Sequence, residues 1–311
     1  MASAPPYGFD LDVALVTCAA LAGLAPDDRP LLAALRARGL RTEPVVWEDR
    51  YHDWSRTRVA VIRSAWDYAF RRAEFLAWAE RASAATTLWN PRPVVRWNTH
   101  KHYLLDLAAR GVPTVPTLLV PAGTSLVLAD VLAERGWREA VVKPAVAQSG
   151  RYATRASVED PGRAQDVVQR LLPHEDLLIQ PFVPAVGADG ELSVVFVDGE
   201  LTHAVRKRAA PGDFRVHDDH GGSVAPAAPD PAEEAVARDA VRAADAPLLY
   251  ARVDLVRGED GAPLVMELEL VEPELFLTYS DVAVARLADA ILRRLDPAER
   301  LTARTRQPPD C

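Results

Sequence analysis

The sequence predicts an α/β fold in which a small parallel α/β lobe is followed by two α+β lobes. Strand-like and helix-like segments alternate through residues 12–84, and this order is typical of a parallel sheet covered by helices. The length of 311 residues also exceeds one average domain. We therefore expect lobes at residues 1–97, 98–186 and 187–295, with a flexible tail at 296–311.

The first lobe begins with an apolar strand, DVALVTC, whose Cys18 we expect to be a small core residue. Its predicted strands and helices lie, in chain order, at 12–18, 27–40, 42–47, 58–64 and 73–84. Ligands of parallel α/β sheets collect beyond the carboxyl ends of the strands. The segment RSAWDY follows one such end and predicts a pocket for an acceptor substrate.

The candidate substrate residues of that segment are Arg63, Ser64, Trp66, Asp67 and Tyr68. We expect Arg63 to pair with a substrate carboxylate, because the guanidinium fork matches the shape of that group. An alternative reading stays open, in which Trp66 and Tyr68 pack under the next helix and Asp67 caps a turn.

The second lobe offers two lysines in distinct contexts. Lys101 precedes a helix that carries Leu104, Leu105 and Leu107 on a core face, and Asn98 or Thr99 is the expected N-cap. Lys143 follows a short β-branched strand and leads into the small-residue loop 145–150. Backbone N–H groups of such a loop can turn toward anionic oxygens. Further helices are expected within 121–137 and 160–172.

The third lobe contains a long segment, 211–231, that is rich in Gly, Pro, Asp and Ala. We expect a mobile loop here that closes over substrate, with Arg215 as its catalytic contact. The cations at 206–208 are as easily a solvated edge. His217 and His220 lack a convincing third ligand, which disfavours zinc, and His217 is instead a candidate for contact with substrate.

Acidic residues interrupt two apolar strands near the C-terminus. Asp254 lies in YARVDLVRG, and Glu267, Glu269 and Glu272 lie in LVMELELVEPELFL. Folding alone does not require carboxylates in such apolar runs. A cluster of this kind suits hard divalent cations such as Mg²⁺, which are commonly held by carboxylates together with nucleotide phosphates.

In order and spacing, these segments resemble the ATP-grasp superfamily of carboxylate ligases, over residues 90–280. The matching segments are NTHKHYLLDLAARGVPTVPT, VVKPAVAQSG, LLIQPFV, GELSVVFVDGEL, HAVRKRAAPGDFRVHDDHGG, RVDLV and VMELEL. The resemblance implies a fold of the N-terminal lobe plus two lobes that clasp ATP. It also implies a reaction in which a carboxylate is activated as an acyl-phosphate.

The resemblance also implies roles residue by residue. Lys101 and Lys143 would hold the α- and β-phosphates under a loop containing Ser149 and Gly150. Gln180, Pro181, Phe182 and Val183 would frame adenine, and Glu191 would lie near the ribose. Lys207 and Arg215 would meet the γ-phosphate and the acyl-phosphate. Asp254, Glu267 and Glu269 would bind two Mg²⁺ ions, or Mn²⁺ in their place, and Glu272 would contact substrate.

One position departs from the superfamily pattern, because Glu269 stands where Asn is usual. A carboxylate there can still bind Mg²⁺, but it adds negative charge to the site. Three segments, RSAWDY, GDFRVHDDHGG and ELELVEPELFL, further resemble an actinobacterial branch. That branch includes the cyclo-ligase that closes O-ureido-D-serine to D-cycloserine. Intermolecular amino-acid or peptide ligation, phosphoryl transfer and nucleotide binding without turnover remain alternatives.

Composition agrees with a cytoplasmic enzyme that acts on a small, amino-acid-like substrate. A net charge of −8 argues against a nucleic-acid partner, and no apolar stretch reaches the roughly 20 residues of a membrane span. The N-terminus lacks a cationic, apolar export signal. Two cysteines, Cys18 and Cys311, cannot form a disulfide framework. A homodimer is possible, as is common in the superfamily.

Overall fold

The computed structural model describes residues 8–216 and 221–295, which form three sheets with helices packed on them. The first sheet has the strand order β2-β1-β3-β4, and all of its strand pairs are parallel. Its strands are β1 (Leu11–Thr17), β2 (Thr42–Val46), β3 (Thr57–Ser64) and β4 (Thr87–Trp89). Its helices are α1 (Arg29–Ala37) and α2 (Arg72–Ala85). The predicted parallel α/β lobe is confirmed.

Strand β1 is buried on both faces, as expected for a parallel strand between helices. Val13 and Leu15 pack in one core cluster with residues of α1, whereas Ala14 and Val16 pack in another with Phe75 and Trp78 of α2. Cys18 is buried just after this strand, as predicted.

The second sheet has the order β5-β8-β6-β7 and is antiparallel throughout. Its strands are β5 (Leu118–Val120), β6 (Glu139–Pro144), β7 (Thr154–Ser157) and β8 (Leu177–Pro181). The helices of this region are α3 (Arg92–Asn98), α4 (Tyr103–Ala109), α5 (Leu128–Arg135) and α6 (Gly162–Leu171).

The third sheet has the order β11-β10-β9-β12-β13 and is also antiparallel. Its strands are β9 (Glu191–Val197), β10 (Glu200–Arg208), β11 (Ser223–Ala227), β12 (Tyr250–Arg257) and β13 (Pro263–Glu269). The helices are α7 (Ala185–Ala188), α8 (Pro231–Ala243) and α9 (Asp281–Arg294). Leu287 and Ile291 of α9 lie in the core cluster that also holds Val13 and Leu15, so this helix joins the first and third sheets.

Three local predictions were wrong. Asn98 ends α3 instead of capping the next helix, and α4 begins only at Tyr103 without a side-chain cap. Leu105 is 37% exposed, so the buried face consists of Tyr103, Leu104 and Leu107. The expected loop 211–231 contains β11, because residues 223–227 complete the sheet edge beside β10.

The lobe boundaries remain predictions, and the expected tail at 296–311 lies outside the described residues. Within 8–216 and 221–295, no helix is both long enough and apolar enough to cross a bilayer.

Candidate active site

A cavity of about 510 Å³ lies where the three sheets meet. Its lining combines aromatic, cationic and acidic side chains from all three regions. The residues predicted from the sequence that line it are Trp66, Tyr68, Lys101, Lys143, Ser149, Gly150, Gln180, Pro181, Phe182, Val183, Glu191, Lys207, Arg215, Glu267, Glu269 and Glu272. Asp254 lies directly behind this lining, in contact with Lys207 and Arg252.

The acidic residues converge because β12 and β13 are antiparallel neighbours. Asp254 is the register partner of Glu267, and Arg252 is the register partner of Glu269. Directly paired residues of two strands project to the same face, as do residues two apart on one strand. Two acids and an arginine thus accompany Asp254 on one face of the sheet.

Glu267 joins the two predicted phosphate lysines. Lys101 Nζ lies 3.1 Å from Glu267 Oε2, and Lys143 Nζ lies 3.1 Å from Glu267 Oε1. Burial opposes ionisation of Glu267, but the charges of Lys101 and then Lys143 outweigh it and hold the pKa of this carboxyl well below its usual range. The two lysines therefore converge on one point although they lie on separate elements.

Lys207 and Arg252 form a second charged group behind the first. Lys207 Nζ lies 2.5 Å from Glu191 and 3.1 Å from Asp254. Arg252 donates to both oxygens of Asp254, at 3.0 and 2.9 Å, and also contacts Glu269. Burial raises the pKa of Glu191 to about 7, although the ion pair with Lys207 opposes that change.

The expected adenine segment leaves the end of β8. Gln180 donates a hydrogen bond to Thr117 Oγ1 at 2.9 Å, and the guanidinium of Arg155 lies 3.7 Å from the ring centroid of Phe182. Across the cavity lining, Arg215 is held by Asp213 through bonds of 3.0 and 2.6 Å. His217 lies outside the described residues.

The RSAWDY segment divides between the cavity and the core. Trp66 and Tyr68 line the cavity, but Arg63, Ser64 and Asp67 do not. Arg63 is 1% exposed and donates to Asp28 at 2.8 Å and to the carbonyl of Pro273 at 2.7 Å. Nη1 has no hydrogen-bond partner, but the guanidinium is buried outside the cavity lining and so does not face a substrate carboxylate there.

The two smaller side chains of this segment are also committed elsewhere. Ser64 Oγ donates to Asp28 at 2.6 Å and accepts from the N–H of Ala25 at 3.0 Å. Asp67 accepts from Trp47 Nε1 at 2.8 Å and forms an ion pair with Arg71. We therefore withdraw Arg63, Ser64 and Asp67 as substrate contacts and assign them to the support of the site.

The chain at the end of β13 is held by side chains of the first and third sheets, of α3 and of the segments that follow β3 and β4. Seven backbone carbonyls of this exit segment, residues 268–278, accept a hydrogen bond or contact from a distant side chain. The pairs are Asn98 to Leu268, Asn90 to Leu270, Tyr250 to Val271, Trp66 to Glu272, Arg63 to Pro273, Arg252 to Glu274 and His203 to Phe276. A non-repetitive segment is thereby fixed without a regular ladder.

Comparison with known proteins agrees with this geometry. Residues 13–90 match the N-terminal domain of D-cycloserine synthetase DcsG, and residues 137–287 match the RimK-like ATP-grasp domain. The cycloserine biosynthesis protein DcsG of Streptomyces lavendulae is 41% identical over 297 residues, which cover 92% of this chain and 99% of that protein. The chain belongs to the ATP-grasp ligases.

Solved structures give the same result. The crystal structure of D-cycloserine synthetase DcsG has a TM-score of 0.83 and 40% identity, covering 91% of this chain and 99% of that one. D-alanine–D-alanine ligase from Bacillus anthracis, complexed with ATP, has a TM-score of 0.67 at 14% identity, with 94% and 99% coverage, and supports the fold alone. The predicted ATP-grasp fold and superfamily are confirmed. As a member of this family, the protein is an ATP-dependent ligase.

ATP-grasp ligases use ATP and a divalent metal ion, and the donors here suit such an ion. Asp254, Glu267 and Glu269 present only carboxylate oxygens, which hard cations prefer. Within the described residues no three His, Cys, Asp or Glu side chains form a ready-made metal cluster. Each of the three acids is instead paired with a lysine or arginine. Those lysine and arginine side chains are the groups that the phosphate oxygens of a nucleotide would attract.

Sequence reasoning missed Arg252 and Gln148 of this ATP-grasp ligase. Both line the cavity, and Gln148 Nε2 donates to Glu272 Oε1 at 2.6 Å. Arg252 could have been found from its spacing, since residues two apart on a strand share a face and Asp254 was already a candidate. Gln148 has no such signal, because its partner lies 124 residues away.

Proposed function

We propose that this ligase activates a small amino-acid-like carboxylate as an acyl-phosphate and joins it to a nitrogen atom, with release of ADP. The observation that carries the proposal is the approach of Lys101 and Lys143 to the single carboxylate of Glu267, at 3.1 Å each. Two lysines that converge beside a cluster of acidic side chains suit the binding of a nucleotide together with the metal ion on its phosphates.

The nucleotide would lie between the second and third sheets. Lys101 and Lys143 would leave Glu267 for the α- and β-phosphates, under the loop of Ser149 and Gly150. Ser149 and Gly150 have φ values of +48° and +64°, and a left-handed turn of this kind directs backbone N–H groups toward one point. Gln180, Pro181, Phe182 and Val183 would frame adenine, with Glu191 at the ribose.

Asp254, Glu267 and Glu269 would hold two Mg²⁺ ions, or Mn²⁺ in their place. When bound, such ions neutralise the charge that develops on the transferred phosphoryl group. Once both lysines bind the phosphates, Glu267 would have no ion-pair partner, and its carboxylate could bind a metal ion. Lys207, Arg215 and Arg252 would face the γ-phosphate and the acyl-phosphate, where fixed positive charge stabilises the transition state.

The acceptor would occupy the side of the cavity lined by Trp66, Tyr68 and Glu272. His217 remains a candidate contact there. The relative of 41% identity takes part in cycloserine biosynthesis, so we infer O-ureido-D-serine as the first substrate to test and ring closure as the C–N bond formed. We also infer a cytoplasmic location and a homodimer, the second of which light scattering on the purified protein tests.

The deciding experiment is a reaction of the protein with O-ureido-D-serine, ATP and Mg²⁺, followed by mass spectrometry with ADP and AMP measured in the same tube. We expect one ADP per ring closed, with cycloserine formed once water removes the carbamoyl group of the substrate as CO₂ and ammonia. Formation of AMP would contradict acyl-phosphate chemistry. A stable phosphorylated product that hydroxylamine does not trap would instead support phosphoryl transfer.

A further inference from the structure

Glu272 differs from the other carboxylates around the cavity. Glu191, Asp254, Glu267 and Glu269 each form an ion pair with a lysine or arginine. Glu272 is 9% exposed, and its carboxyl accepts a hydrogen bond from the neutral amide of Gln148. Among the residues that the structure describes, no lysine, arginine or histidine forms an ion pair with it. Its negative charge is therefore not committed to binding a cation of the protein.

The position of Glu272 is fixed from both sides along the chain. Tyr250 Oη donates to the carbonyl of Val271 at 2.8 Å, Trp66 Nε1 donates to that of Glu272 at 3.2 Å, and Arg63 holds that of Pro273. Three successive peptide groups thus have fixed partners. The carboxyl lies in the same cavity lining as Trp66, Tyr68 and the acids of β13. Because its position is fixed in this way, beside the proposed site of reaction, the Glu272 carboxyl suits proton transfer.

We propose that Glu272 is the base that takes the proton from the attacking nitrogen. The inference rests on the proposed function. In this step the N–C bond forms, the bond between the acyl carbon and the phosphate oxygen breaks, and phosphate leaves with that electron pair. The N–H proton passes to the carboxylate of Glu272. The paired acids are unsuited to this task, since their lone pairs already face cations.

The surroundings of Glu272 agree with such a role. Burial, and then repulsion from Glu269, raises the pKa of Glu272 to about 8, while Gln148, Lys101 and Arg252 oppose the rise. Tyr68 and Tyr250 are the other titratable groups close enough to interact with it. A base functions best when its pKa lies near the working pH. Turnover should therefore increase with pH as this carboxyl loses its proton.

The test compares Glu272→Gln with Glu259→Gln, which changes an exposed carboxyl on the turn between β12 and β13. Both are assayed for cycloserine from O-ureido-D-serine and for hydroxamate formed when hydroxylamine intercepts the acyl-phosphate. We expect Glu272→Gln to lower kcat for the ring by at least about 100-fold, with hydroxamate retained, the KM values for ATP and O-ureido-D-serine nearly unchanged and the rise of kcat with pH lost. Glu259→Gln should behave as the wild type.

Other results separate the two proposals. A raised substrate KM with kcat and the pH profile preserved would overturn the base assignment, because Glu272 would then only bind. Wild-type protein that forms neither hydroxamate nor ring would instead remove the proposed function. If Glu272→Gln does not fold, Glu272→Asp decides. A lowered kcat with a pH-dependent limb supports the base, and a kcat unchanged from wild type overturns it.

Discussion

Arg63 Nη2 donates to the carbonyl oxygen of Pro273 at 2.7 Å, across 210 residues of sequence. The same guanidinium pairs with Asp28 at 2.8 Å, and it is almost fully buried. Arg63 therefore connects the parallel sheet to the exit segment behind β13.

Arg63→Ala should lower the stability of the protein rather than selectively weaken substrate binding. The change leaves Asp28 as a buried, unpaired charge, which typically costs about 3–5 kcal/mol. Chemical denaturation of the ligand-free protein measures the loss. Arg56→Ala, which breaks the exposed ion pair with Asp10, serves as the control and should change stability by less than about 1 kcal/mol. A stable Arg63→Ala protein with only a raised substrate KM would restore the direct substrate contact.

Glu267→Gln should fold but lose Mg²⁺-dependent turnover. The amide removes the charge that attracts both lysines and, by proposal, the metal ion. We expect loss of at least about 100-fold in kcat, as for removal of one group that stabilises transition-state charge. Circular dichroism checks the fold, and Glu234→Gln, at a half-buried carboxyl of α8 that pairs with Arg238, is the matched control. Full activity of Glu267→Gln would refute the metal assignment.

Lys143→Ala should weaken nucleotide binding by about 1.5–3 kcal/mol, the usual strength of a hydrogen bond to a charged group. Calorimetric titration with ADP and Mg²⁺ measures it directly. Arg163→Ala removes an exposed cation from α6 and should leave affinity unchanged. Equal affinity in Lys143→Ala and wild type would place the phosphates elsewhere in the cavity.

The ligand-free protein should lose stability as pH rises through the neutral range, in part because of Glu272. The folded-state pKa of this carboxyl is about 8, above its ordinary value of 4.5. Between these values the unfolded chain has lost the proton that the folded chain still holds, so stability falls with pH and this contribution levels off above about 8. Melting temperatures of wild type and Glu272→Gln at pH 5.5 and 8.5 test this. The variant should show the smaller decrease, and an equal or larger decrease would contradict it.

Gln148→Ala should move the ascending limb of the kcat profile to higher pH. The amide hydrogen bond at 2.6 Å stabilises the ionised form of Glu272 and so lowers its pKa. Its loss should raise that pKa further. Ring formation measured from pH 6 to 9.5 locates the limb. A shift to lower pH would contradict this account.

The sequence predicted what depends on local pattern. Apolar alternation gave the strands, and the lysines and acids stood out because such groups rarely interrupt apolar segments. The cap at Asn98 was wrong because that side chain instead bonds the backbone at Leu268 of β13 and at Leu270 just after it. Arg63 was misassigned for a similar reason. Its partners lie 35 and 210 residues away, so no local pattern reveals that its side chain is buried and bonded to them.

Seven carbonyls of the exit segment are held by distant side chains, four of which lie on strands of the first and third sheets, and this has a consequence for the transfer of specificity between relatives. If residues 268–278 alone were transplanted into a relative, the donors Arg63, Trp66, His203 and Arg252 would be missing. The carbonyls that these side chains bond would then be left without partners. The stretch and its distant donors therefore have to be transferred together. Chains that share the whole set are therefore better candidates for a common substrate than chains that share only the stretch.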